Sequence, residues 1–188
     1  MVQLSKVDRT VSPPDIHIPR EYNAAHDLIE RNLSAGRGAK ISYIDDGGEY
    51  SYDELAKRIN RFANVLTSLG VHREERVLLC LLDTIDFPVA FLGAIKAGVI
   101  PIATNTLLTP ADYQYMLRDS GAVALVVSKQ LWPQFKDIVK DVPAVKHIVA
   151  SGGAGVDGTR DFAELMSAAA TRFHTADTTC DAPCFWLY

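Results

Sequence analysis

Cysteine is scarce in this sequence, long apolar runs are missing, and basic residues form no cluster. The three cysteines among 188 residues are too few and too unevenly spaced for a disulfide framework, which is typical of a reducing compartment. The longest apolar stretches, residues 77–82 and 87–95, are far too short to span a bilayer. The N-terminus carries charges and prolines where a secretory signal needs an apolar core. We therefore expect a water-soluble, cytoplasmic protein.

The charge balance narrows the possible partners. The formal net charge is −4 and the sequence pI is about 5.7, with no block of lysine or arginine. Proteins that bind nucleic acid or anionic membranes concentrate positive charge on one surface. The sequence therefore predicts neither nucleic acid nor a membrane as the main partner.

The usual catalytic and metal-binding patterns are also missing. The histidines show no pair at helical spacing for a metal ion; they are His17, His26, His72, His147 and His174. Cys180 and Cys184 supply at most two ligands, and no second Cys/His pair completes a site. Gly153, Gly155 and Gly158 match the dinucleotide pattern Gly-x-Gly-x-x-Gly, but the residues after them postpone any helix. A plain surface loop is the favoured interpretation of that match.

The order of apolar patterns predicts an α/β fold in which a parallel sheet is covered by helices on both faces. We divide the chain into an N-terminal leader, residues 1–21, without apolar periodicity, and a domain over residues 22–188. Residues 40–51 read as a β-hairpin. The predicted strands of the parallel sheet are 77–82, 99–103, 125–128, 147–150 and 185–188. The predicted helices are 23–33, 52–69, 87–97, 109–118, 131–140 and 162–172.

Helix caps support several of these boundaries. Ser51 and Glu54 form a capping box, in which each side chain satisfies a backbone donor of the first helical turn. Asn23 is placed to cap the helix before the hairpin, and Thr109 to cap the helix that ends at Gly121.

Polar residues after two strands are the candidates for a ligand site. Asp83 and Asp86 follow one predicted strand, and Asn105 and Thr106 follow the next; strand ends are where α/β sheets bind ligands. For Asp86, capping of the helix that starts at residue 87 is the favoured interpretation. For the second loop, the cap at Thr109 explains much of the sequence. Alone, these residues support only an α/β domain.

The sequence closes on an apolar, aromatic run, residues 184–188, that is typical of a buried β-strand. No loop follows this strand in the sequence, although the chemistry of open α/β sheets lies on the loops that leave strand ends. We therefore expect the chain to be the front part of a longer enzyme, cut before its phosphate-binding loop.

Several blocks resemble the adenylate-forming enzymes of the acyl-CoA synthetase superfamily, in the expected order over residues 22–188. The most telling is Ala-Phe-Leu-Gly-Ala-Ile-Lys-Ala-Gly-Val-Ile-Pro at residues 90–101. The other matching blocks are 50–55, 63–66, 69–71, 76–79, 108–109 and 115–122. Within the superfamily, residues 21–25, 82–88 and 104–109 look most like benzoate-CoA ligases and their hydroxybenzoate relatives.

This resemblance implies a two-step reaction on a small aromatic carboxylate. The carboxylate attacks the α-phosphorus of ATP to give an acyl-adenylate and pyrophosphate, and coenzyme A then displaces AMP to give a thioester. ATP, coenzyme A and Mg²⁺ are the implied cofactors. The family's phosphate loop, its substrate pockets and its C-terminal catalytic lysine match nothing in these residues, so no catalytic, cofactor-binding or metal-binding residue is assigned. Some relatives place a basic residue for the CoA phosphates where Leu107 stands.

Three interpretations stay open. The first is the front part of a benzoate-CoA ligase. The second keeps the fold and changes the acid to 4-hydroxybenzoate, aminobenzoate or a short aliphatic acid. The third is a non-catalytic α/β module that binds a partner or a nucleotide. A phosphate loop encoded directly after Tyr188 would favour the enzyme, and a stop codon there would favour the module.

Overall fold

A five-stranded parallel sheet forms the centre of the computed structural model, which describes residues 2–153 and 156–188. Two small antiparallel pairs precede it, β1 (Lys6–Asp8) with β2 (Asp15–His17) and β3 (Ile41–Asp45) with β4 (Gly48–Ser51). The sheet contains β5 (Arg76–Cys80), β6 (Ile100–Ala103), β7 (Ala124–Ser128), β8 (His147–Ser151) and β9 (Arg160–Asp161). Its strand order is β6-β5-β7-β8-β9, with every pair parallel. The helices are α1 (Ala24–Ser34), α2 (Tyr52–Ser68), α3 (Asp86–Lys96), α4 (Pro110–Ser120) and α5 (Phe162–Ala168).

Both faces of the sheet are covered, as the apolar strands predicted. Along β5, Val77 and Leu79 enter the core beneath α1, α2, α3 and α5, while Leu78 and Cys80 enter a second core beneath α4. This alternation follows from the two-residue period of a strand. Because all four side chains are fully buried, the strand reads as one continuous apolar run.

Four of the predicted helix-end signals are confirmed. The Asn23 side chain accepts a hydrogen bond from the backbone N–H of His26 at 3.1 Å. Ser51 forms the predicted capping box on α2, and Thr109 forms another on α4. Helix α4 ends at Gly121, whose φ of 59° lies in the left-handed region that favours glycine.

Three predicted segments differ from the structure. Residues 131–140 form two short 3₁₀ helices, Lys129–Gln134 and Ile138–Asp141, because Pro133 has no N–H to donate within a continuous α-helix. Helix α5 ends at Ala168, four residues before the predicted end. The leader, in which the absence of apolar periodicity predicted no strand or helix, contains the β1–β2 hairpin.

The prediction of a buried strand at residues 184–188 is wrong. Only Trp186 pairs with the sheet, through a parallel bridge to Ile102 in which the Trp186 N–H donates to the Pro101 carbonyl at 3.0 Å. The four residues 185–188 are between 38% and 62% exposed. The run does lie beside β6 at the sheet edge, but apolar composition alone does not supply the second neighbour and the covered faces that bury a strand.

An extended stretch that we call the crossing segment, residues 169–180, runs across the helices on the α2 side. Asn64 donates to the carbonyls of Ala170 and Arg172, at 2.8 and 2.9 Å, and Asn60 donates to the carbonyl of Thr171 at 2.9 Å. Near its end, the N–H of Cys180 donates to the carbonyl of Arg20 at 3.0 Å. The segment therefore connects α2 to the end of the leader.

Candidate functional site

The carboxyl edge of the parallel sheet is the first place to look for a site, because the loops there lie side by side. Ser128 ends β7 and Ser151 ends β8, and both side chains are buried. The Ser128 hydroxyl accepts from the backbone N–H of Leu82 at 2.9 Å, and the Ser151 hydroxyl donates to Asp86 Oδ2 at 2.5 Å. Two neighbouring strand ends thus hold the loop that joins β5 to α3.

Asp45, the last residue of β3, also holds this loop. Its Oδ2 accepts from the backbone N–H of Ile85 at 2.7 Å, and its Oδ1 accepts from that of Gly47 at 2.8 Å. The hydrogen bond from Ile85 is the main reason that the pKa of Asp45 lies below its usual value. The hairpin and the sheet therefore position the β5–α3 loop together.

Asp86 differs electrostatically from Asp45. Burial raises its pKa above the usual range, although the bond from Ser151 and the positive charge of Arg58 oppose that rise. Asp86 and Arg58 line an open cavity of about 420 Å³, together with Gly152 and Phe162. A carboxyl group in this setting holds its proton to a higher pH than an exposed one.

The predicted capping role of Asp86 is wrong. Ile85 occupies the N-cap position of α3, and its side chain makes no capping hydrogen bond. Asp86 is the first helical residue, and its carboxylate interacts with Ser151 across the sheet edge instead. Asp83 is exposed on the loop and does not join this arrangement.

The structure gives the second candidate loop a local role. Asn105 Oδ1 accepts from the backbone N–H of Leu107 at 2.9 Å, and the Asn105 carbonyl accepts from the Tyr113 hydroxyl at 2.8 Å. These bonds fix the turn between β6 and α4. Thr106 is half-buried beside them, and Leu107 is 88% exposed, with no polar group to offer a phosphate.

The glycine pattern after β8 lacks the helix that a phosphate cradle requires. Gly153 and Gly158 have positive φ angles of 133° and 80°, whereas Gly155 lies outside the described residues. Helix α5 begins only at Phe162, after the short strand β9. A dinucleotide site needs the helix N-terminus directly after the glycines, so the match carries no phosphate-binding geometry.

The histidines and cysteines are dispersed. Across residues 2–153 and 156–188, no group of three or more His, Cys, Asp and Glu side chains is placed to hold a metal ion. Cys80 is buried beneath α4, Cys180 is exposed and Cys184 is half-buried, each as a free thiol. In the same part of the chain, no helix is both long and apolar enough to cross a membrane.

Sequence reasoning missed the residues that shape this edge, Asp45, Ser128 and Ser151. Each occupies the last position of a strand. A polar residue at the end of an otherwise apolar strand could have marked these three positions as candidate site residues. Their partners, however, lie 40 to 65 residues away in sequence, and spacing alone does not identify such pairs.

The sequence of this chain is similar to one known enzyme family and to several characterised CoA ligases. Residues 30–188 match the family model described as AMP-binding enzyme. The chain is 54% identical to a benzoate–CoA ligase of Thauera aromatica over all of its length and 35% of that relative. It is 38% identical to a 4-hydroxybenzoate–CoA/benzoate–CoA ligase of Rhodopseudomonas palustris, over 90% of the chain and 31% of the relative. The chain thus spans about a third of the length of the curated relatives it matches.

Two solved structures resemble the fold closely. A benzoate CoA ligase from Burkholderia xenovorans LB400 superposes with a TM-score of 0.80 at 44% identity, over 89% of this chain and 32% of that one. The anthranilate CoA ligase AuaEII, in complex with anthranoyl-AMP, superposes with a TM-score of 0.86 at 32% identity and the same coverage. The sheet and helices described above therefore superpose on about a third of each of these two ligases.

Proposed function

This chain belongs to the AMP-binding enzyme family, and from that membership we propose that it is part of an ATP-dependent benzoate-CoA ligase. The enzyme would form benzoyl-adenylate and pyrophosphate, and then benzoyl-CoA and AMP. The observation that carries the proposal is the 54% identity to the Thauera benzoate–CoA ligase, which extends over the whole chain. Its partners would be a small aromatic carboxylate, ATP and coenzyme A. Three free thiols are compatible with a cytoplasmic location.

We propose that residues 22–188 form part of the AMP-binding domain and that residues 1–21 are its leader. The leader is attached to α1, because Asp27 accepts hydrogen bonds from the N–H and hydroxyl of Ser5 at 3.2 and 2.6 Å. The remaining two thirds of the relatives' length would supply the rest of the enzyme.

The described residues provide no built site for the phosphates of ATP, and no group of three or more His, Cys, Asp and Glu among them could hold Mg²⁺. A phosphate cradle needs clustered backbone donors that are free to face the anion. At the carboxyl edge, the backbone donors of Leu82 and Ile85 are occupied by Ser128 and Asp45. We therefore assign no catalytic, cofactor-binding or metal-binding residue to this chain and derive no reaction step from it.

The contribution of this part of the enzyme would be positional. Ser128, Ser151 and Asp45 hold the β5–α3 loop rigidly at the carboxyl edge, where the other parts of the enzyme would bring its substrates. Positioned groups lower a barrier only if the scaffold holds their geometry, and this network is such a scaffold.

The deciding experiment is substrate discrimination by the full-length enzyme encoded by the same gene. We expect kcat/KM for benzoate to exceed that for acetate by several orders of magnitude, since each buried methylene equivalent is worth about 0.8 kcal/mol. The assay compares benzoate, 4-hydroxybenzoate, 2-aminobenzoate and acetate with ATP, Mg²⁺ and coenzyme A. A preference for acetate or a fatty acid would show the aryl assignment to be wrong.

The 188-residue chain alone provides the matched control. We expect no benzoate-dependent ATP–pyrophosphate exchange above background from it, because no phosphate-binding loop is found among its described residues. Exchange by the isolated chain would contradict the positional role and place a nucleotide site within these residues.

A second candidate substrate is 4-hydroxybenzoate. The relative from Rhodopseudomonas palustris, whose name gives both acids, supports it at 38% identity. A hydroxyl on the ring demands a hydrogen-bonding partner in the pocket, and a site that provides one should favour 4-hydroxybenzoate over benzoate. A higher kcat/KM for 4-hydroxybenzoate than for benzoate in the same assay would select this candidate.

A further inference from the structure

The open cavity of about 420 Å³ between α2 and α5 has a basic wall. Three side chains of α2 form that wall, Lys57, Arg58 and Arg61. Arg61 is three residues from Arg58 and four from Lys57, and residues at these spacings are neighbours on one face of a helix. Three positive charges therefore lie side by side on α2 and line the same cavity.

This basic wall has no carboxylate partner within the chain. Among residues 2–153 and 156–188, no ion pair joins Lys57, Arg58 or Arg61 to an Asp or Glu side chain. Like charges at neighbouring helix positions repel each other. The wall is also unusual for a chain whose formal net charge is −4. An anion in the cavity would relieve the repulsion.

The two guanidinium groups are held in place without using all of their donors. The central guanidinium carbon of Arg58 lies 4.9 Å from the centre of the Tyr50 ring, a cation–π contact that occupies no N–H group. Arg61 Nη1 donates to the carbonyls of Met166 and Ser167, at 2.6 and 3.2 Å. Its Nε and Nη2 have no partner in the described part of the chain. Side chains that are already fixed lose less freedom when a ligand binds.

The acidic residues of the cavity limit the charge of its ligand. Glu54 and Asp86 line it as well. Glu54 Oε2 accepts from the N–H and hydroxyl of Ser51, at 2.9 and 3.1 Å, and Asp86 accepts from Ser151. With three cations and two carboxylates, the lining has one surplus positive charge. A singly charged ligand matches this balance, whereas a phosphate group carries more than one negative charge at pH 7.

The size and the apolar wall of the cavity indicate what else the ligand carries. A volume of about 420 Å³ lies in the range of small-molecule sites and exceeds what a carboxylate group alone would fill. Helix α5 contributes Phe162, Ala163 and Met166 to the lining. Phe162 and Met166 belong to the core, and Ala163 is exposed. A carboxylate on a ring or a short alkyl chain therefore suits both walls.

We propose that this cavity binds a small monocarboxylate, of which benzoate is a simple example. Arg58 and Arg61 bind the carboxylate oxygens, because the N–H groups of a guanidinium match the geometry of a carboxylate in pairs. The organic part of the ligand lies against α5. This binding does not depend on the aryl-CoA ligase activity, since every residue that it uses lies in the described part of this chain.

The test compares three ligands on the 188-residue chain at pH 7 and constant ionic strength. Isothermal titration and thermal unfolding are followed with sodium benzoate, benzamide and sodium phosphate, since a ligand that binds only the folded state raises the unfolding temperature. We expect saturable binding of benzoate. Benzamide has nearly the same shape without the charge, and it should bind about tenfold more weakly, the fold-change of one lost charge-assisted hydrogen bond. Phosphate should also bind more weakly than benzoate.

Variants place the binding in this cavity. Arg58→Gln and Arg61→Gln should each weaken benzoate binding about tenfold. Arg58→Gln is the cleaner test, because Arg58 makes no hydrogen bond within the described residues, whereas Arg61 also holds the end of α5. Arg118→Gln is the matched control. Arg118 is a helix arginine that donates to a backbone carbonyl, that of Asp141 at 3.3 Å, but it does not line this cavity, so its replacement should leave the affinity unchanged.

Four results would overturn the proposal. They are the absence of saturable benzoate binding, equal affinity for benzamide, tighter binding of phosphate than of benzoate, and undiminished benzoate binding by Arg58→Gln. An equal loss of affinity in Arg118→Gln would attribute the binding to the overall charge of the chain and would also contradict a site at Arg58 and Arg61. The unfolding temperature of each variant without ligand shows that the comparison is made between folded chains.

Discussion

Asp27, on α1, shows how this protein accommodates a buried carboxylate. Burial opposes its ionisation, but hydrogen bonds from Ser5, Arg31 and Tyr22 outweigh that effect and lower its pKa. The Arg31 guanidinium donates at 2.7 Å and the Tyr22 hydroxyl at 3.0 Å. Asp86 is the reverse case, with a pKa raised by burial and one hydroxyl partner, Ser151. The two carboxylates should therefore respond to pH in opposite directions.

We expect Asp27→Asn to destabilise the chain by about 1.5–3 kcal/mol at pH 7, the usual range for hydrogen bonds to a charged group. Because the folded-state pKa is lowered, this stabilisation is present above the unfolded-state pKa and is lost as the pH falls through the folded value. The difference from the unaltered chain should therefore shrink in acid. Urea unfolding at pH 7 and below pH 4 measures it. Asp137→Asn, on an exposed ion pair with Lys140, is the control and should change little.

For Asp86→Asn we expect the opposite trend. A carboxyl group whose folded-state pKa is raised loses stability as the pH rises from the unfolded value through the folded one. An amide does not ionise, and its oxygen can still accept from Ser151. The unfolding temperature of the variant, relative to the unaltered chain, should therefore increase between pH 4 and pH 7. A constant difference across this range would show that Asp86 is not perturbed by burial.

Residue-scale prediction from the sequence succeeded where partners are close in the chain. The caps at Asn23, Ser51 and Thr109 are each three residues from their backbone donor. It failed at Asp86, whose partner Ser151 is 65 residues away. It also gave no sign that Lys96 is buried, because a lysine at the end of a helix usually extends into solvent.

Helices α2 and α3 pack against each other, and Gly93 lies at a close approach between them. A Cβ atom at this position would lie 3.0 Å from the Ile59 carbonyl oxygen and 3.0 Å from Phe62 Cβ. Neither atom belongs to the flexible end of a side chain. The absence of a side chain at Gly93 therefore sets the distance between the two helices.

We expect Gly93→Ala to destabilise the protein by about 1–3 kcal/mol, the usual cost of overpacking a core. This would occur although alanine favours a helix over glycine by about 1 kcal/mol. Chemical denaturation measures the change in the free energy of unfolding. Lys57→Ala, at an exposed position of α2, should have little effect. A Gly93→Ala variant as stable as the unaltered chain would mean that the helices separate without cost.

Helices and strands were predicted correctly where the apolar residues repeat with an uninterrupted helical or strand period. The hairpin and the helices α1 to α4 were predicted within one or two residues of their observed bounds, because apolar stripes and caps agree there. The stretch from residue 129 to 141 failed because its apolar residues suit a helix while Pro133 interrupts the backbone hydrogen bonds. The end of α5 was misplaced because Asn60 and Asn64 bind the backbone carbonyls that follow it.

At the scale of the whole molecule, the sequence predicted a parallel sheet with two covered faces, and this is confirmed by the two separate cores. The strand order, with β5 between β6 and β7, was not predicted, because it depends on contacts between strands far apart in the chain. No catalytic residue was assigned from the sequence, and that assignment stays a prediction. The remaining feature at this scale is the exposed aromatic end, residues 185–188.

We expect this aromatic end to make the 188-residue chain bind the dye ANS and associate at high concentration. Phe185 contacts Phe91 at a tilted angle and Trp186 stacks on Tyr188, so the exposed rings lie in pairs rather than as isolated side chains. Replacing Phe185 and Trp186 by serine should reduce ANS fluorescence severalfold. Val11→Ser, at an isolated apolar residue that is 49% exposed, should not. A monomeric chain with no ANS signal would contradict the expectation.

The crossing segment has a consequence for variation among related proteins. Asn60, Asn64 and Arg73 hold it by donating to the backbone carbonyls of residues 170–172 and of Asp177. Every amino acid presents the same carbonyl, so these contacts do not distinguish one residue type from another at the acceptor positions. Among related proteins, we therefore expect the three donor side chains to be conserved. The residue types at positions 170–172 should vary, because only their backbone carbonyls take part in the contacts.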